Sequence, residues 1–266
     1  MSGQVGSGVS GVQGRFGTVR KAIRYMVVMV GITALSLGAS TATGVASVTV
    51  PVSAVAVSPA AGEVVGVAYP VTVSFGSPVL DRDTAERGIA FSAPTVPGGE
   101  FQWLDDATVR FTPADYWPAH STITVEAFGL KSSFQTGALV RGVADIDAHT
   151  FTVSIDGEVA REMPASMGKP GHATPIGEFT ALEKQSVVVM DSRTIGIPLD
   201  DPEGYKLTVY DAVRVTWGGV YVHGAPWSVG SQGYANVSHG CINLSPDNAD
   251  WYYNNVSIGD PIVVQA

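Results

Sequence analysis

The sequence predicts a predominantly all-β protein in two domains, and three observations lead there. The first is composition: of 266 residues, 45% are hydrophobic and 15% charged, with 31 glycines and 16 prolines. That is a turn-rich globular chain, and it excludes a charged disordered chain or a coiled coil. The second is length, which at about 150 residues per domain allows two cores. The third is a recurrent alternation of β-branched and polar residues, the pattern of half-buried strands, against one credible helical segment.

Taken in order, residues 1–50 stand apart. Arg15, Arg20, Lys21 and Arg24 precede an apolar run from Tyr25 to Leu37, with no acid in the stretch and small residues around Ala42 and Ala46. This is an export signature with its amino end in the cytoplasm. The run is short for a membrane span unless extended to Val50, so it reads equally as a cleaved signal or an uncleaved anchor. Membrane contact is expected through this segment alone, and the remainder is expected outside the cytoplasm, in the cell envelope. There is no cysteine nearby for lipid attachment.

Residues 51–147 are expected to form an immunoglobulin-like β-sandwich, with strands at 71–75, 107–112 and 122–127 and turns at 59–62, 92–99 and 113–118. No helix-length periodic segment interrupts them, and His120 reads as a surface loop residue. Residues 148–266 form a second β-rich unit. Phe151, Val153 and Ile155 alternate with polar residues, Asp156 and Gly157 supply a positive-φ hairpin turn, and residues 158–163 return. Further strands are expected at 186–190, 213–216, 220–223 and 261–264. The helix starts at Ser245, a capping residue; Pro246 suits its first position, Asp247 and Asp250 its positive end, and Ala249, Trp251 and Tyr252 supply apolar contacts.

The formal net charge is −9 and the pI near 4.9. Setting aside the four basic residues of the leader leaves 11 against 24 acidic ones, or −13. A nucleic-acid partner is therefore excluded, since phosphate binding needs clustered Lys and Arg.

The chain has one cysteine, Cys241, which cannot close a disulfide within the chain. Outside the cytoplasm a lone thiol is exposed to oxidation and needs a reason to be kept. Cys241 lies 18 positions after His223, which ends an expected strand, and the intervening loop is rich in glycine. That spacing permits a Cys and His pair, in which the imidazole accepts the thiol proton and raises the thiolate fraction. Gly240 allows close approach of a carbonyl, and the amides at Gly240 and Cys241 are candidate oxyanion donors. His239 shares one side of an extended backbone with Cys241 and is assigned a supporting or substrate-contacting role. A structural zinc site is disfavoured, because there is no second cysteine and no histidine at helical spacing.

The segment from His223 to Asn243, ending in Ser238-His-Gly-Cys-Ile-Asn243, resembles the signature of the YkuD family of L,D-transpeptidases, particularly actinobacterial members with immunoglobulin-like domains before the catalytic one. Met163-Pro-Ala-Ser-Met-Gly168, Thr174-Pro-Ile-Gly-Glu-Phe179, Met190-Asp-Ser192 and Gly204-Tyr205 extend the likeness over most of residues 51–264. The resemblance implies Cys241 as nucleophile, His223 as general base and the carbonyl of Gly224, where serine is frequent, as the group that orients the imidazole. It implies His239, Gly240, Ser238 and Asn243 around the nucleophile, Tyr205 near the donor and oxyanion, and Met190 and Gly219 as pocket lining. It further implies peptidoglycan stem peptides as donor and amine acceptor, 3→3 cross-links as product, inhibition by carbapenem β-lactams, and no metal or other cofactor. Some members continue beyond the last strand into a segment that packs on the catalytic domain; with the sequence ending at Ala266, that face is expected to be stabilised otherwise or left open. The same residues suit an L,D-carboxypeptidase that ends in water. A non-catalytic wall-binding protein with an inert thiol is the alternative from another class.

Overall fold

The structure, a computed structural model, describes residues 52–266; the leader at 1–50 lies outside them. Among the described residues no helix is long and apolar enough to cross a membrane.

The first domain contains β1 (Ala54–Ser58), β2 (Val64–Val65), β3 (Val71–Phe75), β4 (Ile89–Ser92), β5 (Gly99–Trp103), β6 (Thr108–Pro113), β7 (Thr122–Ala127) and β8 (Leu130–Thr136). They form two four-stranded sheets, ordered β1-β3-β6-β5 and β2-β8-β7-β4. The three expected strands are β3, β6 and β7, and the inward residues of β3 (Val71, Val73, Phe75) are buried at alternate positions, as the pattern requires. Trp117 fills the space between the sheets. It is 1% exposed, its indole N–H donates to Tyr69 O at 3.0 Å, and its ring lies against Phe91, Phe111 and Phe134. One helical turn that the periodicity did not predict, α1 (Arg82–Arg87), is set by a local cap: the Asp81 carboxylate accepts from Thr84 N–H at 3.0 Å.

The second domain contains β9 (Val140–Asp145), β10 (Thr150–Ile155), β11 (Glu158–Pro164), β12 (Gly177–Thr180), β13 (Glu183–Asp191), β14 (Lys206–Arg214), β15 (Tyr221–Gly224), β16 (Ile242–Leu244), α2 (Pro246–Asn255) and β17 (Pro261–Gln265). One sheet is ordered β11-β10-β9-β17-β12 and the other β13-β14-β15-β16. The sheet boundary thus falls earlier than the 147/148 division, because β9 pairs with β10 and, in parallel, with β17. Asp156 (φ 50°) and Gly157 (φ 91°) make the expected turn between β10 and β11. Ser245 caps α2 by accepting from Asn248 N–H, with Pro246 at its first position. Phe151, Met163, Met167, Ile242, Leu244, Tyr252 and Ile262 are the fully buried large side chains of this core.

A backbone seam joins the domains. Gly66 N–H donates to Ile258 O (2.8 Å) and Ala68 N–H to Gly259 O (2.9 Å). Glycine is required at 66, since a Cβ there would lie 2.1 Å from Asp260 N. Elsewhere between the domains, His120, an exposed residue as expected, pairs through Nε2 with Asp156 Oδ2 at 2.8 Å. Asp260 is 1% exposed, accepts from Ser257 N–H through Oδ2, and leaves Oδ1 without a partner. Burial pushes its carboxyl up to about 7, against the pull of backbone donors at Ser257 and Val67 and the charge of Lys184.

The folded chain therefore holds a proton that the unfolded chain releases near pH 4. This group's contribution to stability is full below that value and is lost as pH rises towards 7. Buried His223, held down at about 4, contributes with the opposite sign over an overlapping range, so the wild-type curve alone does not isolate Asp260. Asp260→Asn is expected to gain stability relative to the wild type as pH rises from 4.5 to 7, by at most about 1.4 kcal/mol per pH unit. Denaturant unfolding of both proteins across that range checks this, and a difference independent of pH contradicts it.

Candidate active site

The thiol is positioned by the sheet of the second domain. β15 and β16 run parallel, with Val222 opposite Ile242 and His223 opposite Asn243, so Cys241 sits one residue before the ladder at the same end as Tyr221. Cys241 and His223 line one cavity of about 410 Å³, together with Met190, Tyr205, Ser238, His239 and Asn243. Lys169, Glu203 and Trp227 complete its rim and walls.

His223 is 2% exposed. Its Nδ1 lies 2.9 Å from Gly224 O, and because a carbonyl only accepts, Nδ1 carries the proton and Nε2 is left as the basic nitrogen. Burial depresses the imidazole to about 4, opposed by that backbone bond. The Cys241 side chain is half-buried against Val209, Ala212 and Tyr221. Loss of water from around its sulfur pushes the thiol up to about 11, opposed by the Tyr221 backbone N–H, and the S–H points at Gly219 O at 3.6 Å. At neutral pH the resting pair is therefore a neutral thiol and a neutral imidazole.

The turn carrying the thiol is braced by its neighbours. Ser238 Oγ donates to Cys241 O at 2.6 Å and accepts from Gly240 N–H at 3.0 Å. Gly240 has φ +119°, which side chains rarely adopt, while a Cβ there would meet only ordinary contacts. The backbone conformation, rather than room for a substrate, is thus what demands glycine. One expectation is corrected here. The Gly240 amide is committed to Ser238 Oγ, so it is not a free oxyanion donor. The chain at 239–241 is bent rather than extended, and His239 lines the same cavity as Cys241: its Nε2 lies 3.1 Å from Glu203 Oε2, and its ring 5.0 Å from that of Tyr205.

Asn243 donates to Ser228 Oγ at 3.2 Å, which fixes β16 against the loop after β15. Met190, the residue before the last of β13, lines the cavity. Gly219, at φ +100°, turns the β14–β15 hairpin so that its carbonyl reaches the thiol. Tyr205 closes a loop whose two ends are tied by Ser192 N–H to Tyr205 O (2.9 Å) and Tyr205 N–H to Ser192 Oγ (3.0 Å). Its phenol is raised by burial and then by the neighbouring thiol.

Comparison with known proteins bears on the same region. Residues 140–264 match the L,D-transpeptidase catalytic domain known as YkuD, and residues 34–129 match a bacterial Ig domain. L,D-transpeptidase 1 of Mycobacterium tuberculosis is 56% identical over 249 residues, spanning 92% of this chain and 99% of that protein.

The chain belongs to the L,D-transpeptidase family.

Solved structures agree on the fold. An L,D-transpeptidase from Mycobacterium smegmatis superposes with a TM-score of 0.77 at 69% identity, covering 82% of this chain and 100% of that one. L,D-transpeptidase LdtMt1, solved in complex with imipenem, gives 0.73 at 59% identity over 80% and 99% of the two chains. L,D-transpeptidase 3 of Mycobacterium tuberculosis, solved with a faropenem-derived adduct, gives 0.73 at 48% over 80% and 98%. Sequence reasoning about this L,D-transpeptidase missed Trp227, Lys169, Glu203 and His172. Three of the four carried a signal: Trp227 lies inside the His223 to Asn243 segment, Lys169 directly follows the quoted run ending at Gly168, and Glu203 directly precedes the Gly204-Tyr205 pair.

Proposed function

We propose that this chain forms 3→3 peptidoglycan cross-links by a two-step acyl transfer on Cys241. The observation that carries the reading is the His223 Nδ1–H bond to Gly224 O, which leaves Nε2 basic in the cavity that Cys241 lines. The Cys241 sulfur attacks the carbonyl joining the L-centre of meso-diaminopimelate to the terminal D-alanine of a tetrapeptide stem. His223 Nε2 takes the thiol proton as the S–C bond forms. The same nitrogen returns it to the departing D-alanine amine, leaving a thioester. An amine on a neighbouring stem then attacks the thioester, gives up its proton to His223 and restores the thiol.

Each remaining residue has a role in this scheme. Cys241 N–H and the Tyr205 hydroxyl supply the oxyanion with donors. Gly224 orients the imidazole, Ser238 and Gly240 hold the turn, and Asn243 holds β16. Met190 and Gly219 shape the donor site, and His239 supports the loop of Tyr205. The reaction takes place outside the cytoplasm at the envelope, with residues 1–50 as export signal or anchor. Carbapenems acylate the same thiol, a reading supported by the relative solved with imipenem.

Incubation with a tetrapeptide donor and a labelled amine acceptor tests the assignment. The labelled cross-linked product is expected to exceed free tripeptide; tripeptide alone, with or without amine, would identify a carboxypeptidase instead.

A further inference from the structure

A second cluster stands at the rim of the cavity, and of its members only His239 has a place in the acyl-transfer scheme. His172, Glu203 and His239 come from three separate loops, and each offers one ligand atom within 4.8 Å of the others. Glu203 Oε2 lies 3.1 Å from His239 Nε2 and 3.7 Å from His172 Nε2. Zinc bonds of about 2.0–2.1 Å in tetrahedral array place neighbouring ligand atoms about 3.3 Å apart, a spacing these two distances bracket. The imidazole rings are 4.9 Å apart with their planes at 57°. The donor set, two imidazoles and one carboxylate, is one that zinc accepts with a fourth position left open.

We propose that His172, Glu203 and His239 form a divalent-cation site, suited to Zn²⁺, that ties three loops together across the mouth of the thiol cavity. Glu203 lies in the loop leading to Tyr205, His239 in the turn leading to Cys241, and His172 in the loop between β11 and β12. An ion held by all three fixes the Tyr205 loop against the nucleophile turn and narrows the entry to the cavity. Lys169 sets the strength of the site. Its Nζ pairs with the other carboxylate oxygen, Glu203 Oε1, at 2.6 Å, which leaves Oε2 for the metal but places a positive charge beside it. The site is therefore expected to fill at raised zinc concentration rather than to hold a permanent ion, and removal of Lys169 tightens it.

The competing ligand is the thiol itself, so the decisive background is the full chain carrying Cys241→Ala. Titration of that variant with Co²⁺ as spectroscopic probe, and with Zn²⁺ by calorimetry, is expected to show one ion per chain and no thiolate charge-transfer band. Adding His172→Ala is expected to weaken binding by at least about tenfold, and adding Lys169→Ala to strengthen it. In the otherwise wild-type protein, Zn²⁺ is expected to slow acylation by a carbapenem, with His172→Ala relieving that inhibition. No binding to Cys241→Ala, or equal affinity with and without His172, overturns the proposal. The binding measurements are read without turnover, so their failure is independent of the acyl-transfer assignment.

Discussion

Replacing Cys241 by alanine is expected to lower D-alanine release from a tetrapeptide donor by at least about 10³-fold, with little change in stability. The large effect follows from covalent catalysis: without the sulfur no thioester forms, and the remaining donors and pocket contacts stabilise only the slow direct reaction. The small effect on folding follows from the contacts. The side chain is half-buried, and its S–H makes a weak donation to Gly219 O at 3.6 Å. Its loss is expected to cost about 1 kcal/mol or less. Release assays and unfolding curves on the same preparation check both halves.

The second large effect is at His223. His223→Gln keeps a polar side chain of similar size but cannot accept the thiol proton, and acylation is expected to fall by about 10²–10⁴-fold. The pH profile distinguishes loss of a base from loss of shape. Burial holds the imidazole at about 4 and the thiol at about 11, so the wild-type resting form stays neutral between those values. The second-order rate of acylation by a carbapenem is expected to be level from about pH 5 to 9, and to fall below pH 5 as His223 is protonated. In His223→Gln the acid limb disappears and the rate instead rises with hydroxide, as ionisation of the thiol becomes limiting. A wild-type rate climbing tenfold per pH unit through 7 and 8 contradicts the neutral pair.

The chemistry was legible in the sequence to the extent that it depends on local pattern. The hairpin at Asp156 and Gly157, the Ser245 cap and the spacing of His223 and Cys241 are local signals, and each has its counterpart in the structure. Long-range pairing was not legible. The strand β9 belongs to the second sheet because β17 returns beside it from more than a hundred residues away, and no local period encodes that. The short helix α1 is set by the Asp81 cap rather than by an apolar face, so a periodicity reading passes over it. The same limit explains the site. Gly240 was noticed for its missing side chain, but its φ and the commitment of its amide to Ser238 depend on the folded turn. Lys169, His172, Glu203 and His239 lie on three loops that meet only in three dimensions.

The measurement that bears most directly on the account is the intact mass of the full chain after incubation with imipenem, on wild type and Cys241→Ala in parallel. One added equivalent is expected on the wild type, carried by the peptide that contains Cys241, and none on the variant. An unmodified wild type, or an adduct that persists in Cys241→Ala, would contradict the assignment of this thiol as the nucleophile.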